Sequence, residues 1–210
     1  MKKYLVLGVL FILPLVAYLF FASGINNFAK LPVLQENIPE LDFVEETKLQ
    51  DKITVLGFLG KNVEESGPSL FNLNQKIYKY FSEFEDFQFV FLLPKGASQV
   101  ELEVVIKELS LVSNMDHWKF VFAEKNEMQQ LFRELKTPYS WNAATGSEQI
   151  FIIDKNRNLR GRDDDEDVSL LYGYDYTDVA ELANKMKDDV KIILAEYRLA
   201  LKKNTADRVK

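Results

Sequence analysis

The 210-residue chain contains no cysteine and a single histidine, His117. Without cysteine no side chain can form a thiolate, a mixed disulfide or a sulfenic acid, so thiol catalysis is excluded. Soft copper needs thiolate or thioether ligands and Cu(II) needs imidazole, and neither set is present. Met1 starts the chain, Met128 and Met186 fall on helical apolar stripes, Met115 stands alone in a loop, and His117 reads as a surface or packing residue. Ser66 and Ser147 have only His117 as a base, which argues against a Ser-His-Asp triad. Positive charge is outnumbered, with 26 Lys and Arg against 32 Asp and Glu. The formal net charge of −6 includes Lys2 and Lys3, so the remainder carries −8. That charge repels phosphate backbones and acidic substrates, so no nucleic-acid partner is expected.

One long apolar run is present, at the start. Lys2 and Lys3 precede an uncharged stretch from Tyr4 to Ala22, about 19 residues, which at roughly 1.5 Å per residue approaches the thickness of a bilayer core. Residues 1–24 are expected to form an N-terminal transmembrane helix. With only Lys30 soon after, the charge asymmetry holds the N-terminus in the cytoplasm. The expected location is the bacterial inner membrane, single-pass, with the domain on the periplasmic side. The alternative is secretion after signal cleavage near Gly24, because Ala22-Ser23-Gly24 offers small residues to a peptidase. Against it, the run exceeds the roughly 7 to 15 residues of a signal core. No cysteine follows for lipid attachment, and in an oxidising compartment a chain without disulfides relies on its core alone.

Residues 25–50, punctuated by Pro32 and Pro39, read as an extended leader that holds a 51–204 domain clear of the bilayer, with 205–210 as a tail. The run from Ile53 to Leu59 is apolar on both parities and ends at Gly60, as a strand buried on both faces does. Pro68 and Ser69 are expected to open a helix with apolar positions Leu70, Leu73, Ile77, Tyr80, Phe81 and Phe84. A strand over Phe87–Leu93, a helix with Leu102, Val105, Ile106, Leu109 and Val112, a strand over Trp118–Phe122 and a helix with Met128, Leu131, Phe132 and Leu135 follow. The strand from Gln149 to Asp154 turns through Lys155–Asn158 into Leu159–Arg162 as a hairpin. A long terminal helix carries Val179, Leu182, Met186, Val190, Ile193, Leu194 and Tyr197 on one face.

This order predicts an α/β fold with a thioredoxin-like mixed sheet flanked by helices, preceded by the transmembrane helix. Ligands of open α/β sheets gather at the carboxyl ends of strands, here the loops after Leu59 and before Gln149. The first loop reads Phe58-Leu-Gly-Lys-Asn-Val63-Glu-Glu-Ser-Gly67-Pro68. Here the chain resembles the SCO/SenC family, thioredoxin-like, membrane-anchored copper chaperones of cytochrome oxidase assembly. That family carries Cys-x-x-x-Cys-Pro at this place; Val63 and Gly67 occupy the cysteine positions and Pro68 is retained. A family histidine falls eight residues before the Asp that closes the next strand. Counting back from Asp154 gives Gly146, and Arg160-Gly161 stands where the family has Arg-Gly. The resemblance covers roughly Leu31 to Lys202. It implies a divergent member in which all three copper-ligand positions, Val63, Gly67 and Gly146, lack a ligating side chain. No catalytic residue, cofactor or metal is then expected.

Other features carry weaker chemistry. The run Asp163–Asp167 could take a divalent cation, but from Asp163 the sixth position is Val168 rather than glycine and the twelfth is Tyr174 rather than glutamate. It reads as a solvated loop. Glu64 and Glu65 have no visible base or nucleophile to work with. Tyr139, Trp141, Tyr172, Tyr174 and Tyr176 fall in loops near the site rim, where amphipathic rings favour partner contact. The expectation is a non-enzymatic scaffold or assembly helper in the cell envelope, acting on a protein partner. The alternatives are a small-ligand binder or enzyme that reuses the cleft, and a divalent-cation module on the acidic run.

Overall fold

The computed structural model describes residues 2–22 and 29–208. Ser23–Phe28, with the expected cleavage point, and the last two residues of the expected tail lie outside the described residues. Helix α1 (Lys2–Ala22) is apolar all round, and Val9 to Leu13, Leu15, Val16 and Leu19 are each more than half exposed. Among the described residues no helix is long and apolar enough to cross a membrane. Several α1 side chains, Leu5, Leu7 and Phe20 among them, lie outside that set.

Seven strands form the main sheet: β1 (Val33–Gln35), β2 (Ile53–Phe58), β3 (Phe87–Pro94), β4 (Trp118–Ala123), β5 (Gln149–Ile153), β6 (Leu159–Arg160) and β9 (Tyr174–Asp175). A separate hairpin pairs β7 (Arg162–Asp165) with β8 (Ser169–Leu171). Across the main sheet the order is β1-β6-β5-β2-β3-β4, with β9 on the end of β5. β2, β3 and β4 run parallel, while β5 is antiparallel to β2 and β6 antiparallel to β5. This is the expected mixed thioredoxin-like sheet. Every residue of β2 and β3 is buried because both faces are covered. Ile53 and Val55 face one core with Phe89, Phe91, Tyr78 and Trp118; Leu56 and Phe58 face a second with Val90, Phe132 and Phe151.

The helices are α2 (Val63–Leu73), continued by a π-helical turn Asn74–Tyr78 into α3 (Lys79–Phe81), then α4 (Gln99–Ser110), α5 (Lys125–Glu134), α6 (Val179–Glu181), a second π-helical turn Leu182–Met186, and α7 (Lys187–Arg208). Two expectations are corrected here. α2 begins at Val63, with Pro68 inside it rather than at its start. Glu64 and Glu65 occupy its first turn, where the helix dipole favours carboxylates. The π-helical turn then inserts an extra residue and shifts the apolar stripe, so Tyr78 is fully buried while Tyr80 is 57% exposed. Its ring lies under the Lys187 ammonium, 3.3 Å from the centroid.

The expected leader is part of the domain from Leu31 onward. Leu31, Ile38, Leu41 and Leu49 are buried in the two cores, and β1 pairs with β6. The Glu40 carboxylate accepts the N–H groups of Leu41, Leu49 and Gln50 at 3.0, 2.7 and 2.9 Å, folding the segment back on itself. Arg160 locks it in place. Its buried guanidinium donates to the Leu31 carbonyl from Nε (2.7 Å) and to Asp154 (2.9 Å) and Glu196 (2.7 Å). No free spacer therefore extends beyond residue 30.

Candidate functional site

The corner expected to hold a site lies where β2 ends and α2 begins. Leu59 and Gly60 leave the sheet, Lys61 and Asn62 turn the chain, and Val63 starts the helix. The loop between α5 and β5 closes over this turn. Gly146 forms isolated bridges with Leu59 and with Asn142. Ser147 N–H donates to the Phe58 carbonyl at 2.8 Å, and Lys61 N–H donates to the Ala143 and Ala144 carbonyls at 3.2 and 3.0 Å. The Asn142 side chain accepts from Ala144 N–H at 2.8 Å and holds the loop tip.

The three positions expected to match the family's ligands, Val63, Gly67 and Gly146, are treated differently. Val63 is fully buried in the core shared with Val55, Leu70 and Val105. Gly67, one turn along α2, is buried against α4, and a Cβ there would meet Val105 Cγ2 at 3.6 Å, an ordinary contact. Gly146 has φ +83°, and a Cβ would meet Gly60 N and Phe58 O at 2.7 Å and Leu59 C at 2.9 Å. Gly60 is equally pressed, against the Ala144 carbonyl. Backbone thus lies on backbone where a third ligand would stand, and the conformation suits glycine alone.

Among the described residues no chemistry-bearing cluster gathers at this corner. Glu64 and Glu65 are exposed, with Asn62 Nδ2 donating to Glu65 Oε1 at 3.1 Å. His117 precedes β4, at the opposite end of the parallel strands, where its backbone N–H donates to the Tyr78 hydroxyl at 3.2 Å. No imidazole reaches the corner. Four surface cavities of about 170, 230, 370 and 660 Å³ are lined by residues other than Val63, Gly67 and Gly146.

The aromatic rim resolves into two groups. Tyr139, Trp141 and Tyr172 are half-buried and pack on the second core; Trp141 Nε1 donates to the Leu59 carbonyl at 3.5 Å and Tyr139 hydroxyl to the Gly173 carbonyl at 3.5 Å. Tyr174 and Tyr176 are not rim residues. Both are buried, and burial pushes both phenols up, with Ser66 beside the Tyr176 hydroxyl. They are unavailable to a partner.

The acidic run is likewise not a solvated loop throughout. Asp165 is buried in β7, and its carboxylate accepts from Lys185 Nζ at 2.8 Å and from the N–H groups of Asp167 and Val168 at 3.1 and 3.3 Å. Burial would raise this carboxyl, but Lys185 and those N–H groups hold it below its usual range. Lys185 also binds Asp167 at 2.6 Å, and Arg162 grips Asp189 through Nε (2.7 Å) and a terminal nitrogen (3.1 Å). Tyr174 hydroxyl completes the network by donating to Asp189 at 2.7 Å. These carboxylates are spent on ammonium and guanidinium partners. Among the described residues no group of three or more His, Asp or Glu side chains is placed to hold a metal ion. Sequence reading missed this network because its members lie up to 27 residues apart and only the acidic half is clustered in the chain.

No family model matches the sequence, and no curated protein matches it either. Solved structures do match. BsSco, a member of the Sco family of cytochrome c oxidase assembly proteins, aligns with a TM-score of 0.50 at 10% identity, over 75% of this chain and 99% of that one. A SCO1/SenC family lipoprotein from Bacillus anthracis aligns with a TM-score of 0.50 at 15% identity, over 84% of this chain and 99% of that one. At such identities the likeness is one of fold, and the chain has a divergent, SCO-like thioredoxin fold.

Proposed function

We propose that this chain is a membrane-anchored, extracytoplasmic scaffold or assembly helper that keeps a SCO-like fold without copper or thiol chemistry and works through protein contacts. The observation that carries the reading is the closed corner. Val63 is buried, and the loop at Gly146 is bonded to Phe58 and Lys61 so closely that no side chain fits there. Copper titration of the full chain in detergent is the test. The expected result is no stoichiometric Cu(I) or Cu(II) binding beyond that of a control protein; tight one-to-one binding overturns the proposal.

Anchoring is supported by the uncharged run from Tyr4 to Ala22 in the sequence and by the described apolar side chains of α1, Val9 to Leu13, Leu15, Val16 and Leu19, which are each more than half exposed as a water-facing helix would not present them. The lysines at its start favour a cytoplasmic N-terminus and a domain on the periplasmic side of a bacterial inner membrane. Residence in the membrane fraction after carbonate extraction, with the domain digested by protease added to spheroplasts, checks both points. Recovery of the whole protein in the soluble fraction sinks the anchor.

A further inference from the structure

The main sheet ends on two unlike edges. β1 is three residues long and irregular in register. β4 is six residues long, in unbroken register with β3 from Phe89 and Trp118 to Pro94 and Ala123, and among the described residues no strand pairs with its far side. Phe89 N–H donates to the His117 carbonyl, and Lys95 N–H to the Ala123 carbonyl, each at 2.8 Å. In a parallel ladder, residues 117, 119, 121 and 123 therefore turn their backbone groups toward β3, and Trp118, Phe120 and Phe122 turn theirs outward. Trp118 N–H is occupied by the Met115 carbonyl at 3.0 Å. Among the described residues the Trp118 carbonyl and both groups of Phe120 and Phe122 have no backbone partner.

Sheets normally blunt such an edge with charges, bulges, proline or a covering segment. β4 itself carries no proline, no bulge against β3 and one charge, Lys119. Its edge runs along a groove of about 660 Å³ between Leu102 and Ile106 of α4 and the segment from Phe43 to Thr47, with Phe120 and Phe122 half-exposed.

The open groups are self-complementary. A two-fold axis through Phe120 pairs each Phe120 N–H with the other copy's Phe120 carbonyl, and each Phe122 N–H with the other copy's Trp118 carbonyl. The Trp118 N–H keeps its Met115 partner, so four of the five open groups pair in this register and the Phe122 carbonyl is left to water. Charge agrees with the geometry. Lys119 is exposed on the face that the Phe43–Thr47 segment borders, and Glu45 and Glu46 are exposed on that border. Among the described residues none of the three has an ion-pair partner within the chain. An antiparallel pairing keeps like faces on one side and carries the lysine of each copy to the acidic border of the other.

We infer that β4 is a homodimerisation edge, through which two copies of this chain join antiparallel about Phe120 into one continuous sheet. A closed isologous contact of this kind stops at two copies. The inference stands apart from the scaffold function and from the anchor.

The absence of cysteine makes the test direct. In the full-length chain in detergent micelles, Phe120→Cys would be the sole thiol, and paired strands put facing Cα atoms about 5.5 Å apart, within disulfide range. Under mild oxidation its cross-linked fraction is expected to exceed by more than about tenfold that of Leu111→Cys, whose parent side chain is 82% exposed at the end of α4. Phe120→Pro removes an outward N–H, which an edge strand tolerates, together with a half-buried ring stacked on Phe91 and Trp118; where its unfolding midpoint is kept, light scattering should fall from two chains per micelle to one. If Phe120→Pro lowers the unfolding midpoint, Lys119→Glu serves instead, since it sets like charges against the acidic border and should also reduce the dimer. A wild-type monomer at about 100 µM, or Phe120→Cys cross-linking no better than Leu111→Cys, overturns the inference.

Discussion

Substituting alanine at Gly67 and at Gly146 is expected to give opposite results, because one side has room and the other has none. At Gly67 the new methyl meets Val105 Cγ2 at 3.6 Å and enters a helix. Helix propensity favours alanine over glycine by about 1 kcal/mol. Gly67 also precedes Pro68, whose ring disfavours a Cβ on the preceding helical residue, so the net gain falls to between about 0 and 1 kcal/mol. At Gly146 the φ of +83° alone disfavours alanine by about 1 to 2 kcal/mol. The methyl also strikes backbone atoms of Phe58, Leu59 and Gly60 at 2.7 to 2.9 Å, and the loop must lift. Losing Ser147 N–H to Phe58 and Lys61 N–H to Ala144 adds about 1 kcal/mol each, for a total of about 3 to 4 kcal/mol.

Urea unfolding followed by far-UV circular dichroism measures the stability, and in a Trp118→Phe background the remaining Trp141 fluorescence reports the loop itself. The Gly67→Ala midpoint should stay at or slightly above wild type. Gly146→Ala should lower it, shifting Trp141 emission before global unfolding. In a Pro68→Ala background, where the pre-proline clash is gone, Gly67→Ala should recover its full propensity gain. Gly146→Ala within about 0.5 kcal/mol of wild type would refute the closed corner.

Arg160→Ala should destabilise by about 3 to 5 kcal/mol, since it leaves buried Asp154 unpaired, and should open the segment after Leu31 to limited proteolysis. Native-like protection of that segment would contradict its clamp. Asp165 is held below its usual carboxyl range, so its stabilisation is present above that range and is lost as pH falls through the folded value. Lys185, held above its usual range by Asp165 and Asp167, contributes below that range and loses its contribution as pH rises through its higher folded value. Stability should therefore be flat between about pH 5 and 9, and Asp165→Asn should lower the plateau while flattening the acid limb. An unchanged acid limb would remove Asp165 from the account.

Local pattern made the sheet legible. The apolar runs of β2 and β3, the Asp154–Arg160 hairpin and the helical stripes after each strand state their own period, and the SCO-like order follows from them. Three features were not local. The segment from Leu31 to Leu49 has buried residues at irregular spacing and acquires its place only through β6, Arg160 and the Glu40 carboxylate. The π-helical turn at Asn74–Tyr78 breaks the helical phase that a periodic reading assumes, which misplaced Tyr80. Pro68 drew the helix start five residues too late, because proline is common in a first turn and this one lies deeper. The closed corner was half visible: the resemblance drew attention to Val63, Gly67 and Gly146 as positions without a ligating side chain, but only the fold shows that the loop at Gly146 lies against Phe58 and Gly60.

That difference decides whether the site was emptied or rebuilt, and restoring the ligands in stages separates the two. Val63 and Gly67 lie four residues apart on one helix, within the Cα range of a disulfide, and their neighbours are side chains that can adjust. Val63→Cys with Gly67→Cys should fold, with a loss of about 1 to 2 kcal/mol for the smaller side chain at 63, and should lose both thiols to alkylation after oxidation. Adding Gly146→His meets the Phe58 and Gly60 backbone rather than a side chain. It should lower stability by about 3 kcal/mol or more and leave the imidazole outside the corner. A merely emptied site predicts instead that the triple variant folds like the double and gains copper affinity from the histidine. Comparing Cu(I) titrations and unfolding midpoints of the double and triple variants distinguishes these outcomes, because in a rebuilt corner the third substitution subtracts stability without adding a ligand.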